Sequence, residues 1–142
     1  MNSLYIDTNI LIYQSLSLSK LYAVSYAFMK KCHKKGIELV TSTETFQEIM
    51  YVAQRNNQLK QGLQTCKKSL EIVKVLDITS KTISLYLSFL QKNPQLISRD
   101  VLHLTSCYEN GIEGFVTFDK QLLDSHIVPV YNPKTIINFS SS

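Results

Sequence analysis

Leu4-Tyr5-Ile6-Asp7 is a short apolar run that ends in an aspartate, and Phe115-Val116-Thr117-Phe118-Asp119 repeats this arrangement near the other end of the chain. Short runs of apolar and β-branched residues are typical of strands that are buried on both faces. We therefore predict two buried strands, each followed directly by an aspartate. Similar runs predict further strands or extended segments at residues 37–40, 75–78 and 127–130.

Between these runs, apolar residues recur at the spacing of helices. Two helix starts are predicted from local signals, namely a capping box from Thr41 to Glu44 and an N-cap at Ser98. The predicted helices cover residues 8–16, 18–35, 42–53, 57–73, 81–91, 99–110 and 120–123. Helices that alternate with short apolar strands indicate an α/β layer structure with a mainly parallel sheet.

The composition is that of a globular domain, with 142 residues of which 44% are hydrophobic and 18% charged. No apolar run approaches the roughly 20 residues of a membrane span. The N-terminus also lacks the basic and apolar regions of a signal peptide, so we expect a cytoplasmic protein. We predict a single domain over residues 1–139 and a disordered tail at residues 140–142.

The three cysteines are widely spaced and form no C-x-x-C motif, which predicts buried thiols rather than a zinc site or a disulfide framework.

The net charge of +4 is unevenly distributed along the chain. Residues 1–68 carry nine basic and four acidic residues, whereas residues 69–142 carry six and seven. A basic half beside a cation site suggests a polyanionic partner, although surface lysines also serve solubility.

Four acidic residues occupy positions of interest in this arrangement. Asp7 and Asp119 directly follow predicted strands, and the carboxyl ends of parallel strands line up along the edge where α/β proteins bind ligands. Asp100 lies in the first turn of its predicted helix, and Glu48 lies within the helix that follows the second strand. Each acid alone also suits an ordinary role, as an N-cap, as a partner of the helix dipole or as a solvated surface residue.

Taken together, these acids indicate a cation site. They are embedded in core-forming sequence, where unpaired carboxylates are costly, and carboxylates that converge at one edge repel each other. Mg²⁺ or Mn²⁺ relieves that repulsion and prefers carboxylate oxygens as ligands. One or two such ions can promote hydrolysis at a phosphate. An aspartyl phosphatase is less consistent with the sequence, because Thr8 and Asn9 follow Asp7 in place of an Asp-x-Asp motif.

The motifs resemble those of PIN-domain nucleases and, within them, the VapC-type toxins of prokaryotic toxin–antitoxin pairs. The resemblance spans residues 3 to about 133, with the motifs in the family's order. The matching motifs are Asp7-Thr8-Asn9, the helix start from Thr41 to Glu48, Arg99-Asp100-Val101-Leu102-His103-Leu104, and Val116-Thr117-Phe118-Asp119.

This resemblance implies a three-layer α/β/α sandwich and an endoribonuclease that needs Mg²⁺ or Mn²⁺ to hydrolyse RNA phosphodiester bonds. It implies that the metal is surrounded by the acids Asp7, Glu48, Asp100 and Asp119. It also implies that Asn9 and Thr117 support this site through hydrogen bonds. The partners that it implies are an RNA substrate, a small antitoxin protein and a second copy of the chain in a homodimer.

Several assignments stay open at this point. Glu44 or Asp124 could join the site, and His103 is expected to pack at the helix surface. The number of metal ions, the RNA target and the identity of the antitoxin are not specified by the sequence. A catalytically silent PIN-like module that binds RNA or protein is the alternative function. The candidates for contact with RNA phosphates are Arg99, Arg55 and Lys60.

Overall fold

A parallel sheet forms the centre of the computed structural model, which describes residues 1–15 and 20–136. The strand order is β3-β2-β1-β4-β5, and every pair of neighbouring strands is parallel. The strands are β1 (Ser3–Ile6), β2 (Glu38–Ser42), β3 (Lys74–Leu76), β4 (Phe115–Val116) and β5 (Val130–Tyr131). The helices are α1 (Thr8–Ser15), α2 (Tyr22–Lys34), α3 (Thr43–Arg55), α4 (Leu59–Ile72), α5 (Ser80–Lys92), α6 (Ser98–Glu109) and α7 (Pro133–Ile136), with a 3-10 helix at Lys120–Leu122.

The two faces of the sheet are covered by separate apolar clusters, which makes the fold a three-layer α/β/α sandwich. Leu4 and Ile6 of β1 belong to the first cluster, together with residues of α1 and α2 such as Ile10 and Phe28. Tyr5, which points to the other face, belongs to the second cluster with residues of α6. Because β1 is buried on both faces, its continuous apolar run is the pattern expected of a central parallel strand. The predicted fold class is confirmed.

Two predicted helix caps are wrong. Thr41 belongs to β2, where its hydroxyl donates to the backbone oxygen of Ile6 and lies 2.6 Å from the hydroxyl of Thr45. Because that hydroxyl bonds within the sheet, it does not cap α3. Ser98 is the first residue of α6 rather than its N-cap, and Asp100 supplies the negative charge in the first turn that favours the helix dipole.

Other boundaries differ by a few residues. The last strand lies at Val130–Tyr131 instead of residues 127–130, and α7 was not predicted. The predicted tail at residues 140–142 and the junction between the first two predicted helices lie outside the described residues. Within the described ranges, no helix combines the length and apolar character that crossing a membrane requires. The three cysteines are free, Cys32 and Cys107 being buried and Cys66 half-buried.

Helices α3 and α4 pack closely around Gly62, which yields the first prediction. A Cβ atom at Gly62 would lie 2.4 Å from the Cβ of Ala53, a contact between two inflexible atoms. Alanine normally favours a helix over glycine by about 1 kcal/mol, but the clash should outweigh this gain. We expect Gly62→Ala to lower the free energy of unfolding by about 1–3 kcal/mol, measured by urea denaturation. Gln61→Ala on the exposed side of α4 is the control, and equal or greater stability of Gly62→Ala would contradict the packing.

Candidate active site

Asp7 is the most enclosed of the candidate acids, with 5% of its surface exposed at the junction between β1 and α1. Its Oδ1 accepts a hydrogen bond from the backbone N–H of Thr8 at 2.7 Å. Its Oδ2 accepts one from the Thr117 hydroxyl at 2.7 Å and a longer one from the Asn9 amide at 3.3 Å. Burial raises the pKa of Asp7, while these hydrogen bonds favour its charged form. The carboxylate is therefore fixed in one orientation.

Thr117 connects Asp7 with Asp119. The Thr117 hydroxyl accepts hydrogen bonds from the Asn9 amide at 3.3 Å and from the backbone N–H of Asp119 at 3.0 Å. Asp119 in turn caps the 3-10 helix by accepting from the backbone N–H of Gln121 at 2.9 Å. Asp119 thus has the N-cap role that the sequence also allowed, and it forms this cap through Oδ1. The network places both aspartates at the carboxyl ends of neighbouring strands.

Asp100 projects from the first turn of α6 towards the same edge and is half-buried. Burial and the nearby negative charges of Asp7 and Asp119 raise its pKa to about 6. Part of this shift comes from repulsion by the other two carboxylates. Asp7 and Asp119 are linked through Thr117, and their charges act on Asp100, although the three residues come from separate parts of the sequence.

Glu48 is held by His103, and the prediction that His103 packs at the helix surface is wrong. His103 is fully buried, and its Nε2 lies 2.8 Å from Oε1 of Glu48. Burial raises the pKa of Glu48, but the hydrogen bond and charge of His103 help to lower it overall. Position 103 lies one turn beyond Asp100 on the inner face of α6, and this spacing is the signal that could have identified it.

The other side of the His103 ring is also fixed. Its Nδ1 lies 2.6 Å from the hydroxyl of Tyr5, and Tyr5 donates a 2.8 Å hydrogen bond to Ser42. An ionised Glu48 accepts from Nε2–H, and Nδ1 accepts from the Tyr5 hydroxyl or donates to it according to the protonation of the ring. Burial lowers the pKa of His103, but the hydrogen bond to Glu48 and the surrounding acids raise it overall.

The remaining candidates lie around this centre. Glu44 is half-buried and Asp124 exposed, and within the described residues neither forms a hydrogen bond or ion pair with the four acids. Arg99 is exposed directly before Asp100, and its positive charge is among those that act on Glu48. Arg55 at the end of α3 and Lys60 in the first turn of α4 are both exposed.

The donor set fits a hard divalent cation. Among residues 1–15 and 20–136, no three His, Cys, Asp or Glu side chains are gathered closely enough to enclose a metal ion by themselves. Mg²⁺ does not require such a cage, because it keeps several water molecules and takes one or two carboxylates. Asn9 Oδ1 is buried without a hydrogen-bond partner in the described structure, so it could accept from such a water. Glu48 already bonds His103 through one oxygen and is the less direct ligand.

Fold and site together define a three-layer α/β/α protein with an acidic centre at the carboxyl edge of its sheet. The profile of the PIN domain family matches residues 4–125, and the chain belongs to this family. Over 125 residues the chain is 30% identical to Ribonuclease VapC23 of Mycobacterium tuberculosis. The aligned region covers 84% of this chain and 94% of that protein. The resemblance stated from the motifs is confirmed.

Solved structures share the fold at low sequence identity. VapBC2 from Rickettsia felis, bound to a DNA fragment from its promoter, has a TM-score of 0.75 and 16% identity over 92% of this chain and 98% of that chain. VapC20 of Mycobacterium tuberculosis, described as a sarcin-ricin loop cleaving toxin, has a TM-score of 0.73 and 13% identity over 88% and 96%. DNA-bound VapBC from Salmonella typhimurium has a TM-score of 0.74 and 14% identity over 94% and 99%.

The raised pKa of Asp100 predicts that this residue lowers the free energy of unfolding in a pH-dependent way. Between about pH 4 and pH 6 the folded state binds more protons at Asp100 than the unfolded state, so this contribution to stability falls as pH rises. We expect Asp100→Asn to exceed the wild type in stability at pH 7 by about 1 kcal/mol, allowing for solvent screening of a half-buried group.

The measurement is urea unfolding in EDTA from pH 4 to pH 8, with Asp77→Asn as an exposed control. The difference between Asp100→Asn and wild type should grow up to about pH 6 and then level off. A variant that is less stable than the wild type at pH 7 would show that the acids do not repel each other.

The buried contacts of His103 predict a second effect on stability. His103→Ala leaves the Tyr5 hydroxyl and the Glu48 carboxylate without their partner. We expect a loss of about 2–4 kcal/mol in the free energy of unfolding, because the uncompensated groups remain largely buried. Thermal and urea unfolding should show this loss, whereas His126→Ala at an exposed position should not. Equal stability of the two variants would rule out the buried network.

Proposed function

We propose that this protein is a metal-dependent endoribonuclease that hydrolyses RNA phosphodiester bonds and acts as the toxin of a VapBC-type toxin–antitoxin pair. The observation that supports the proposal is the link between Asp7 and Asp119 through Thr117 at the ends of neighbouring strands, with Asp100 near enough for their charges to act on it. Membership of the PIN domain family and similarity to a VapC ribonuclease over most of both chains support it. The proposed partners are RNA, a small antitoxin protein and a second copy of this chain.

The three aspartates would hold Mg²⁺ or Mn²⁺, directly or through water. Bound there, the cation would lower the pKa of a water molecule and offset negative charge on the phosphate. Asp7 is suited to this role because Thr8 and Thr117 fix both of its oxygens. The orphaned Oδ1 of Asn9 would accept a hydrogen bond from water in the site.

Glu48 would orient the attacking water. Its pKa is lowered overall, because the partners that favour its charged form outweigh the effect of burial, so Glu48 stays ionised at neutral pH. An ionised carboxylate accepts a hydrogen bond from a water molecule and so orients the lone pairs of the water oxygen. His103 holds Oε1 of Glu48 and so fixes the orientation of this carboxylate. His103 itself is fully buried and would act through Glu48 as a positioning residue.

The activity is tested with a labelled, structured RNA. We expect the purified protein to cut it with Mg²⁺ or Mn²⁺ and not with EDTA. Asp7→Asn should reduce the cleavage rate by about 100-fold or more, since a metal ligand contributes several kcal/mol to the transition state. Glu38→Gln is the control, because this exposed acid begins β2 at the opposite edge of the sheet.

Two outcomes would contradict the proposal. Equal cleavage by wild type and Asp7→Asn would place the activity elsewhere. A folded wild type that binds RNA but cuts it with neither metal would instead support a catalytically silent module.

A further inference from the structure

A second feature adjoins the acids on the side of α3. Tyr51 and Arg55 lie three and seven residues beyond Glu48, so all three occupy one face of this helix. Arg99 approaches the same place from the start of α6. These elements border an open cleft of about 390 Å³, which is lined by Tyr51, Val52, Arg55, Asn56 and Arg99. This volume lies within the range of roughly 300–1,000 Å³ for small-molecule sites, enough for one nucleotide.

The charges of the cleft are complementary to a phosphate. Its two charged lining residues, Arg55 and Arg99, are both positive and exposed. The neighbouring centre is negative because acids form it. Arg99 directly precedes Asp100 in this centre, and the positive charge of Arg99 acts on Glu48. A substrate whose reacting phosphate lies at the acids would place the next phosphate beside the arginines. Planar guanidinium groups suit such a contact because they bind phosphate oxygens through two N–H groups.

Tyr51 gives the cleft an aromatic wall. The residue is 46% exposed, so part of its ring is accessible from the solvent. Arg55 donates a 3.2 Å hydrogen bond to the Tyr51 hydroxyl, and its guanidinium carbon lies 5.6 Å from the ring centre. This contact fixes the ring beside the cation. An unpaired base can stack on such a ring while its phosphate reaches the arginine.

We propose that this cleft is a nucleotide-binding subsite, in which an unpaired RNA base stacks on Tyr51 and the adjoining phosphates bind Arg55 and Arg99. The inference rests on the proposed ribonuclease function and specifies its substrate. RNA would have to be single-stranded or unpaired at the nucleotide beside the scissile bond, because a base inside a duplex cannot reach the ring.

A cleft at the opposite edge of the sheet supplies matched controls. It is larger, about 630 Å³, but its lining mixes Lys30 and Lys74 with Glu38 and Glu71. Tyr26 in its wall is 48% exposed, almost the same as Tyr51. Changes at Tyr26 and Lys30 therefore remove equivalent side chains far from the acids.

Base stacking is tested with short single-stranded RNAs that carry 2-aminopurine at successive positions, titrated with the full chain in EDTA at low salt. We expect Tyr51→Leu to weaken binding about 5- to 100-fold and to abolish the fluorescence quenching that stacking causes at one position. Tyr51→Phe should retain the quenching because it keeps the ring. Tyr26→Leu should bind as the wild type does, and thermal unfolding would verify that each variant is folded.

The phosphate contacts are tested through salt dependence. Arg55→Gln and Arg99→Gln should each reduce the slope of log K against log salt by about 0.7, the value for one phosphate contact on a single strand. Lys30→Gln should leave the slope unchanged.

These results are separable from the test of cleavage. If the wild type cuts RNA, but Tyr51→Leu binds RNA and quenches the 2-aminopurine fluorescence as Tyr26→Leu does, the proposed subsite is overturned and the proposed nuclease activity is supported. If Tyr51→Leu no longer binds single-stranded RNA while the wild type cuts no RNA with either metal, the proposed subsite is supported and the proposed nuclease activity is contradicted. Wild-type binding that is equal for duplex and single-stranded RNA would also overturn the subsite. A Tyr51→Leu variant that loses only a protein partner would assign the cleft to that protein.

Discussion

The carboxyl group of Asp7, almost entirely enclosed by protein, is the constraint on which the rest of the site depends. Burial alone would drive this group to its neutral form, and the hydrogen bonds from Thr8 and Thr117 oppose that change. These partners are available only because β1 lies between β2 and β4 in the sheet, which sets Thr117 beside the end of β1. The order of the strands thus determines the chemistry at their ends, and the low-dielectric surroundings make each nearby charge more effective.

The buried pair of Glu48 and His103 offsets part of the negative charge. Without a cation, Asp7 and Asp119 already raise the pKa of Asp100, and a further free carboxylate would add to the repulsion. His103 provides a proton donor on the inner side of the acids, held from behind by Tyr5. A buried pair of this kind adds little stability for its own sake, so its value lies in fixing one orientation of Glu48. The acids on the open side then remain available to a cation.

The strand-to-helix transitions could be predicted from the sequence, because an apolar run followed by an aspartate is a local pattern. Asp7 and Asp119 were found in this way, and the sheet edge on which they meet follows from general rules of parallel sheets. His103 was misplaced because its burial depends on contacts with Tyr5 and Glu48, which are distant in sequence. Thr41 was misread for the same reason, since its hydroxyl bonds Ile6 of the neighbouring strand. Local propensity cannot reveal a partner that only the fold brings near.

The position of the basic residues matters more than their number. Lys30 and the other lysines at the end of α2 lie towards the start of β2, at the edge opposite the acids. Their charges are screened over about 8–10 Å at physiological salt, so they cannot compensate for the repulsion between RNA and the acidic centre. Arg99 directly precedes Asp100 and lines one cleft with Arg55, which lies two turns beyond Glu48 on α3. A polyanion approaching the acids from the side of α3 therefore meets positive charge at these two arginines, and the proposed substrate path past Tyr51 rests on this local arrangement rather than on the net charge of the chain.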